Sequence, residues 1–346
     1  MQASADSPVL VADVGGTNLN LALLRPEASR YRMLRQARFQ TQEEGSLLEP
    51  IQRFLELEPT LRPQSACLAG AGPVLERRIH LTNAPWDIDA ASLERDLGIP
   101  VHLVNDFIAL SCGVAHLDLA DAATVSPMRH GDASLPLVDP EGLALVVGPG
   151  TGLGVGFFIR TPAGVRAYPS EGGHIGLPVF DEETLALWRF LAEGLPGPPG
   201  AEMAVSGPGL AQLFQFLLDT KRVPWTPVAT AILARPLADR PSIIATESHA
   251  DEACHRAISL FVDLYARVCA ELCAAFLPTA GLFLAGGIVA KNPGRFLEEG
   301  RFMTRFEQNY RAHLDRLTRN TPVFLVHDYD LSLRGAAHAP KCVPMP

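Results

Sequence analysis

The sequence predicts an α/β fold organised as two domains. Three observations carry that expectation. The chain has 346 residues, more than one ordinary core accommodates. Apolar strand-like runs alternate with segments of helical apolar spacing. A strand, a glycine-rich turn and a second strand also follow one another twice, around DVGGTN (13–18) and around GPGTGLG (148–154).

Val9–Asp13 reads as the first strand. Leu19–Leu24 and Tyr31–Phe39 follow closely, with Pro26 and Ser29 in the turn between them. Leu48, Ile51, Phe54 and Leu55 give residues 47–57 a helical period. Short strands are expected at 66–69 and 77–81, then a helix capped by Asp89 and closed by Gly98. Val101–Val104 is a strand running into Asn105-Asp106, with an apolar helix from Phe107. Residues 120–141 are rich in Asp, Pro and Ser and read as the crossing into the second domain. Leu143–Val147 and Val155–Arg160 flank the second glycine turn. Helices are expected at 184–191, at 209–218 and, most clearly, at 251–276, where Ile258, Phe261, Val262, Tyr265, Val268 and Leu272 keep spacings of three and four. Strands at 281–285 and 322–327 and a short closing helix at 331–338 complete the pattern.

The net charge of −9 argues against a non-specific nucleic-acid binder but not against a small phosphate ligand, which backbone N–H groups and a metal can hold. The first residues show no basic and apolar leader pattern, so no secretory signal is expected. Glu271, Pro278 and several glycines interrupt the apolar segment 268–290, so no membrane span is expected there. Six cysteines without a C-x-x-C pair suggest neither a zinc site nor a disulfide framework, and suit a reducing cytoplasm.

Five stretches carry chemistry. In DVGGTN (13–18), glycines after a strand permit an anion-binding nest, and Thr17 and Asn18 add donors. Asp13 would repel phosphate but suits Mg²⁺ held through water. A plain hairpin turn explains the same letters. GPGTGLG (148–154) fits neither G-x-G-x-x-G nor G-x-x-x-x-G-K-[ST]; it reads as a second phosphate clamp or a glycine-rich hairpin. In VNDFIAL (104–110), Asp106 is a candidate general base at a strand end or simply a helix N-cap. SEGGHIG (170–176) exposes Glu171 and His174 together, as a polyol site would, or forms a polar turn. Glu202, before SGPG (206–209), is a further candidate acceptor. FLAGGIV (283–289) places Gly286 and Gly287 after a strand, where an adenosine could lie on backbone, or marks a tight strand–helix turn.

In this order and spacing the motifs resemble bacterial glucokinases, the group without the zinc-binding cysteine motif, in the superfamily of sugar kinases, actin and heat-shock chaperone ATPases. The resemblance runs from Val11 to about His338. It implies two ribonuclease-H-like domains around a central cleft, each on a five-stranded sheet: a small domain at 1–120, rejoined by the final helix at about 331–346, and a large domain at 121–330. It implies that Asp13, Gly15, Gly16, Thr17 and Asn18 form the first phosphate motif, with Asp13 a water-mediated Mg²⁺ partner. Gly148, Gly150, Thr151 and Gly152 match the second, and Gly286 and Gly287 the adenosine motif. Asp106 matches the catalytic base; Asn83, Asn105, Asp106, Glu171, His174 and Glu202 match sugar-binding positions. Leu19, Asn20, Pro149 and Arg334 depart from the pattern.

The activity implied is ATP-dependent phosphorylation of D-glucose at the 6-hydroxyl, with ATP and Mg²⁺ as cofactors, in the cytoplasm, without nucleic-acid or membrane partners; a homodimer is compatible with this. Two rivals stand beside it: a kinase of another hexose or amino sugar, and a sugar-binding regulator with weak kinase activity. No helix-turn-helix segment precedes Val9, so a DNA-binding repressor is not expected.

Overall fold

The computed structural model describes residues 7–28, 30–81, 84 and 86–342. The described residues group into two compact units. The first takes those up to Asp118, Gly156–Pro169 and those from Tyr329 onward; the second takes Leu119–Val155 and Ser170–Asp328.

In the first unit, strands β1 (Val9–Val14), β2 (Asn18–Glu27) and β3 (Arg30–Gln40) precede helix α1 (Leu48–Glu56). Strand β4 (Ser65–Gly70) leads to three two-residue strands, β5 (Val74–Leu75), β6 (Arg78–Ile79) and β7 (Ile88–Asp89). Helix α2 (Ala90–Leu97), strand β8 (Val101–Asn105) and helix α3 (Asp106–Ala115) follow, and the C-terminal helix Leu331–Cys342 completes the unit. The main sheet runs β3-β2-β1-β4-β8. β1 is antiparallel to β2 and parallel to β4, which is parallel to β8.

Both faces of this sheet are covered, so β1 reads as nearly continuous apolar sequence. Leu10, Ala12 and Val14 join Leu21, Ile51 and Phe54 in one buried cluster. The alternate residues face the other way, and the C-terminal helix packs on β1, β4 and α3. Leu19, unusual for the resemblance, is a core residue here, fully buried in that cluster and opposite Val14.

Several expectations are corrected. Pro26 is not in a turn: it lies in β2 opposite Tyr31, beyond the last β1 pair at Val9–Leu24, where a missing N–H costs no β1 ladder bond. Ser29 lies outside the described residues. The strand expected at 77–81 shrinks to Arg78–Ile79, because Glu76 and Arg77 turn with φ of 48° and 61°. Asp89 does cap α2, accepting from the Ser92 N–H at 3.1 Å, and Gly98 closes it at φ 69°.

In the second unit, strands β9 (Val125–Pro127), β10 (Leu143–Pro149), β11 (Leu153–Thr161) and β12 (Gly164–Ser170) precede helices α4 (Glu182–Ala192), α5 (Gly207–Asp219), α6 (Pro227–Leu233), α7 (Arg240–Glu247) and α8 (Glu252–Phe276). Strand β13 (Gly281–Leu284), helices α9 (Gly287–Lys291), α10 (Pro293–Leu297), α11 (Arg301–Glu307) and α12 (Ala312–Arg319), and strand β14 (Val323–Val326) end it. The sheet order is β12-β11-β10-β13-β14-β9, the order of the first sheet with one strand added. The expected five strands are therefore six. The polar segment 120–141 supplies β9, which pairs antiparallel with β14. Residues 156–169, which carry most of β11 and β12, group with the first unit.

Asp251 caps α8 through the Cys254 N–H at 3.0 Å, and the buried Tyr265 on that helix donates its hydroxyl to the Val147 carbonyl at 2.8 Å. That bond ties the longest helix to the strand leading into the second glycine turn. The closing helix outruns its expected end and reaches Cys342. All six thiols are free and buried, and burial pushes Cys67 up to about 12. Among the described residues no helix is long and apolar enough to cross a membrane.

Candidate active site

β1 ends at Val14 and β2 begins at Asn18, so Gly15–Thr17 form the first turn. The Gly15 N–H donates to the Asn18 carbonyl at 2.9 Å. Three turn carbonyls are held from one side. Thr41 Oγ1 donates to Gly15 O at 2.7 Å, Gln42 Nε2 to Gly16 O at 3.0 Å, and the Thr41 N–H to Thr17 O at 3.0 Å. In a trans peptide the C=O and the next N–H point oppositely. Fixing the Gly15 and Gly16 carbonyls therefore aims the N–H groups of Gly16 and Thr17 away from Thr41 and Gln42. This is a backbone nest suited to an anion. Thr17 is exposed. Asn18 is less available than its letter implied: it belongs to β2, and its Oδ1 accepts from Arg38 Nε at 2.9 Å. Thr41 and Gln42 carried no motif in the sequence; a polar pair in the turn just after a strand gives no local sign of what it holds.

Asp13 lies near the end of β1, and Ser332 Oγ of the C-terminal helix donates to its Oδ2 at 2.6 Å. Burial pushes its carboxyl above the ordinary carboxylate value, and the Ser332 bond opposes that shift. Folding therefore favours the neutral form. That contribution is complete below the ordinary carboxylate pKa and is lost as pH rises through the raised value. Asp13→Asn should accordingly melt above the native chain at pH 8, with the gap closing towards pH 4. It should also weaken Mg-nucleotide binding by about 10–100-fold. Melts at both pH values and a titration with an Mg-bound non-hydrolysable ATP analogue check both signs; equal melting at pH 8 contradicts the carboxyl's burial cost. Among the described residues no group of three or more His, Cys, Asp or Glu could hold a metal. One enclosed carboxylate fits a cation that keeps its water and phosphate ligands, as Mg²⁺ does.

The cap of α3 is Asn105, not Asp106. Asn105 Oδ1 accepts from the N–H groups of Phe107 at 2.9 Å and Ile108 at 3.2 Å, and its Nδ2 donates to Gly72 O at 3.2 Å. Asp106 is the first helical residue, and its Oδ1 lies 2.9 Å from the Phe107 N–H. Asn105 thus does positional work, fixing where Asp106 stands. Asn83 lies outside the described residues.

The second turn, Gly150–Gly152, has the same three-residue length as the first. The Gly150 N–H donates to the Gly152 carbonyl at 2.7 Å, and Gly150 O accepts from the Gly207 N–H at 2.8 Å. Gly148 and Pro149 finish β10, and Thr151 stands exposed at the tip. Gly286 has φ 88°, and a Cβ there would lie 2.9 Å from Pro149 O, so only glycine brings the strand–helix corner this close to the turn. Gly287 opens α9. Glu202 Oε2 accepts from the Leu153 N–H at 2.8 Å, and a Cβ on Gly152 would lie 2.5 Å from that oxygen. A Cβ on Gly173 would overlap Leu153 O. The Ala201 N–H donates to Ile175 O at 2.7 Å, linking the short turn that carries Glu202 to the one that carries His174. Glu171 and His174 have side chains 85% and 62% exposed, with Oε2 and Nε2 3.7 Å apart.

The structure thus gathers Asp13, Gly15–Asn18, Asn105 and Asp106 in the first unit, and Gly148–Gly152, Glu171, His174, Glu202, Gly286 and Gly287 in the second. Ser332 had no sequence signal, because its partner is 319 positions away.

The sequence model of the family described as Glucokinase matches residues 10–342. A glucokinase of Nostoc sp. is 30% identical over 344 residues, covering 95% of this chain and 97% of the relative. The crystal structure of a glucokinase from an Antarctic psychrotroph superposes with a TM-score of 0.75 at 28% identity, over 96% of this chain and 98% of that one. That of the Balamuthia mandrillaris glucokinase, in complex with glucose, gives 0.78 at 23% identity over 98% and 95%. With the two matched strand–turn–strand sheets, these likenesses span nearly the full length: the chain belongs to the glucokinase family, on the fold of actin-like sugar kinases.

Proposed function

We propose that the chain transfers the γ-phosphoryl group of ATP to the 6-hydroxyl of D-glucose. The observation that carries this reading is Asp106 standing first in α3 with Asn105, not itself, capping the helix. A carboxylate held at the first position of a helix, on a strand end, is placed to take the proton of an attacking hydroxyl. The two three-residue glycine turns, Gly15–Thr17 and Gly150–Gly152, would supply backbone N–H groups for phosphate oxygens. Asn83, Asn105, Glu171, His174 and Glu202 would orient the sugar, so that attack is effectively intramolecular. Mg²⁺, when bound near Asp13, neutralises phosphate charge. Asp13 would hold its water shell, and Gly286 and Gly287 would receive the adenosine. The buried free thiols support a reducing, cytoplasmic setting.

A coupled assay across glucose, mannose, fructose and glucosamine, each with ATP, ADP or polyphosphate, tests the reading. Glucose with ATP is expected to give the highest kcat/KM, by at least about ten-fold, the scale one pocket contact discriminates. A higher value for mannose or glucosamine replaces glucose as substrate. No turnover with any pair turns the reading to a sugar-binding regulator.

A further inference from the structure

Glu202 is placed by resemblance among the sugar contacts, yet its carboxylate is engaged elsewhere in this structure. Its Oε2 holds the Leu153 N–H at 2.8 Å, at the first residue after the second glycine turn. Gly152 is shaped around this bond, since a Cβ would stand 2.5 Å from the same oxygen. The Leu153 carbonyl faces Gly173, of the Glu171–His174 motif, with no room for a Cβ. Leu153, the residue that closes the phosphate turn, is therefore gripped at its N–H by one sugar motif and crowded at its C=O by the other. Upstream, Gly207 holds Gly150 O, so Glu202 and Gly207 fix the two ends of Gly150–Leu153.

We propose that Glu202 is a positioning residue for the phosphate turn as well as a sugar contact, so that sugar and nucleotide binding are coupled through its carboxylate. The two oxygens divide the work. Oε2 keeps the Leu153 N–H, and Oε1 accepts from a sugar hydroxyl. Sugar that immobilises the carboxylate removes freedom from the turn, and the nucleotide then meets a pre-ordered loop. Coupling of this kind is reciprocal. The coupling rests on the kinase reading above; the grip on the turn does not.

Two measurements separate them. Amide hydrogen exchange of the ligand-free protein reads the grip: Glu202→Ala should speed exchange at Leu153 by at least ten-fold while the β10 amides keep their protection. Unchanged exchange at Leu153 overturns the proposal whatever the substrate. Calorimetric titration of an Mg-bound non-hydrolysable ATP analogue, with and without saturating glucose, reads the coupling. Glucose should tighten the analogue about ten-fold in the native chain, within the usual range of site coupling. The factor should fall below two-fold in Glu202→Ala and in Gly152→Ala, which displaces the carboxylate without removing it. Glu202→Gln, which keeps an acceptor oxygen for Leu153, should bind glucose more weakly yet keep native exchange at Leu153. Full coupling in both alanine variants, or none in the native chain, overturns the coupling. If glucose does not bind at all, the kinase reading fails while the exchange result still decides the grip. Should Glu202→Ala not fold, Gly152→Ala carries both measurements.

Discussion

Asp106→Asn is expected to lower kcat for glucose by about 10³-fold, within the range a positioned general base supplies. At 1.36 kcal/mol per decade that is about 4 kcal/mol of lost transition-state stabilisation. The variant reads chemistry and not folding, because α3 is capped by Asn105, whose Oδ1 takes the Phe107 and Ile108 N–H groups whatever stands at 106. An amide oxygen at 106 can also keep the bond to the Phe107 N–H. Its melting temperature should therefore stay within about 2 °C of the native value, as for substitutions that disturb no packing. The KM for glucose should move little, since the isosteric amide still meets the 6-hydroxyl. Steady-state kinetics with a melt decide the matter: a kcat within ten-fold of native removes Asp106 from the role of base. Asn105→Ala is a useful contrast, losing the cap and hence stability along with activity.

Gly335→Ala is expected to lower stability by about 3 kcal/mol, at the upper end of the cost of overpacking. The C-terminal helix crosses α3 backbone to backbone. A Cβ on Gly335 would overlap Ala109 O and lie 2.6 Å from the Gly113 N. Gly113 in turn faces the Leu331 carbonyl, 2.5 Å from where its Cβ would be. Neighbouring main chain cannot yield as a side-chain tip can, so the helices must separate. α3 begins with Asp106, and the C-terminal helix brings Ser332 to Asp13, so activity should fall with stability. For 346 residues unfolding together, that is a melting temperature about 4 °C lower. Gly294→Ala is the control, since its Cβ meets nothing within 4 Å. A Gly335→Ala protein melting within about 2 °C of native contradicts the tight crossing.

The expectations that succeeded share a local cause. β1, α2 and α8 each combine an apolar period with a cap or a glycine next to it in sequence, and the residues that decide them are at most four positions apart. β9 and the short helices α9–α12 escaped because three to eight residues do not establish a period. The alternative reading of Asp106 as the helix cap fell for a similar reason. Asn and Asp are both good caps, and only the φ of −65° and ψ of 145° at Asn105 show which one stands outside the helix.

By itself the sequence determined the α/β class, the repeated strand–turn–strand plan and the short list of candidate residues, because each is written in neighbouring letters through side-chain period and glycine placement. Only the tertiary structure decided what each of those residues already holds: Asn105 caps a helix, Asn18 accepts from Arg38, Glu202 accepts from Leu153, and Asp13 accepts from Ser332. The physical reason is the reach of the interactions. A hydrogen bond or a Cβ clash acts over a few ångströms of space, and the chain brings such partners together from up to 319 positions apart.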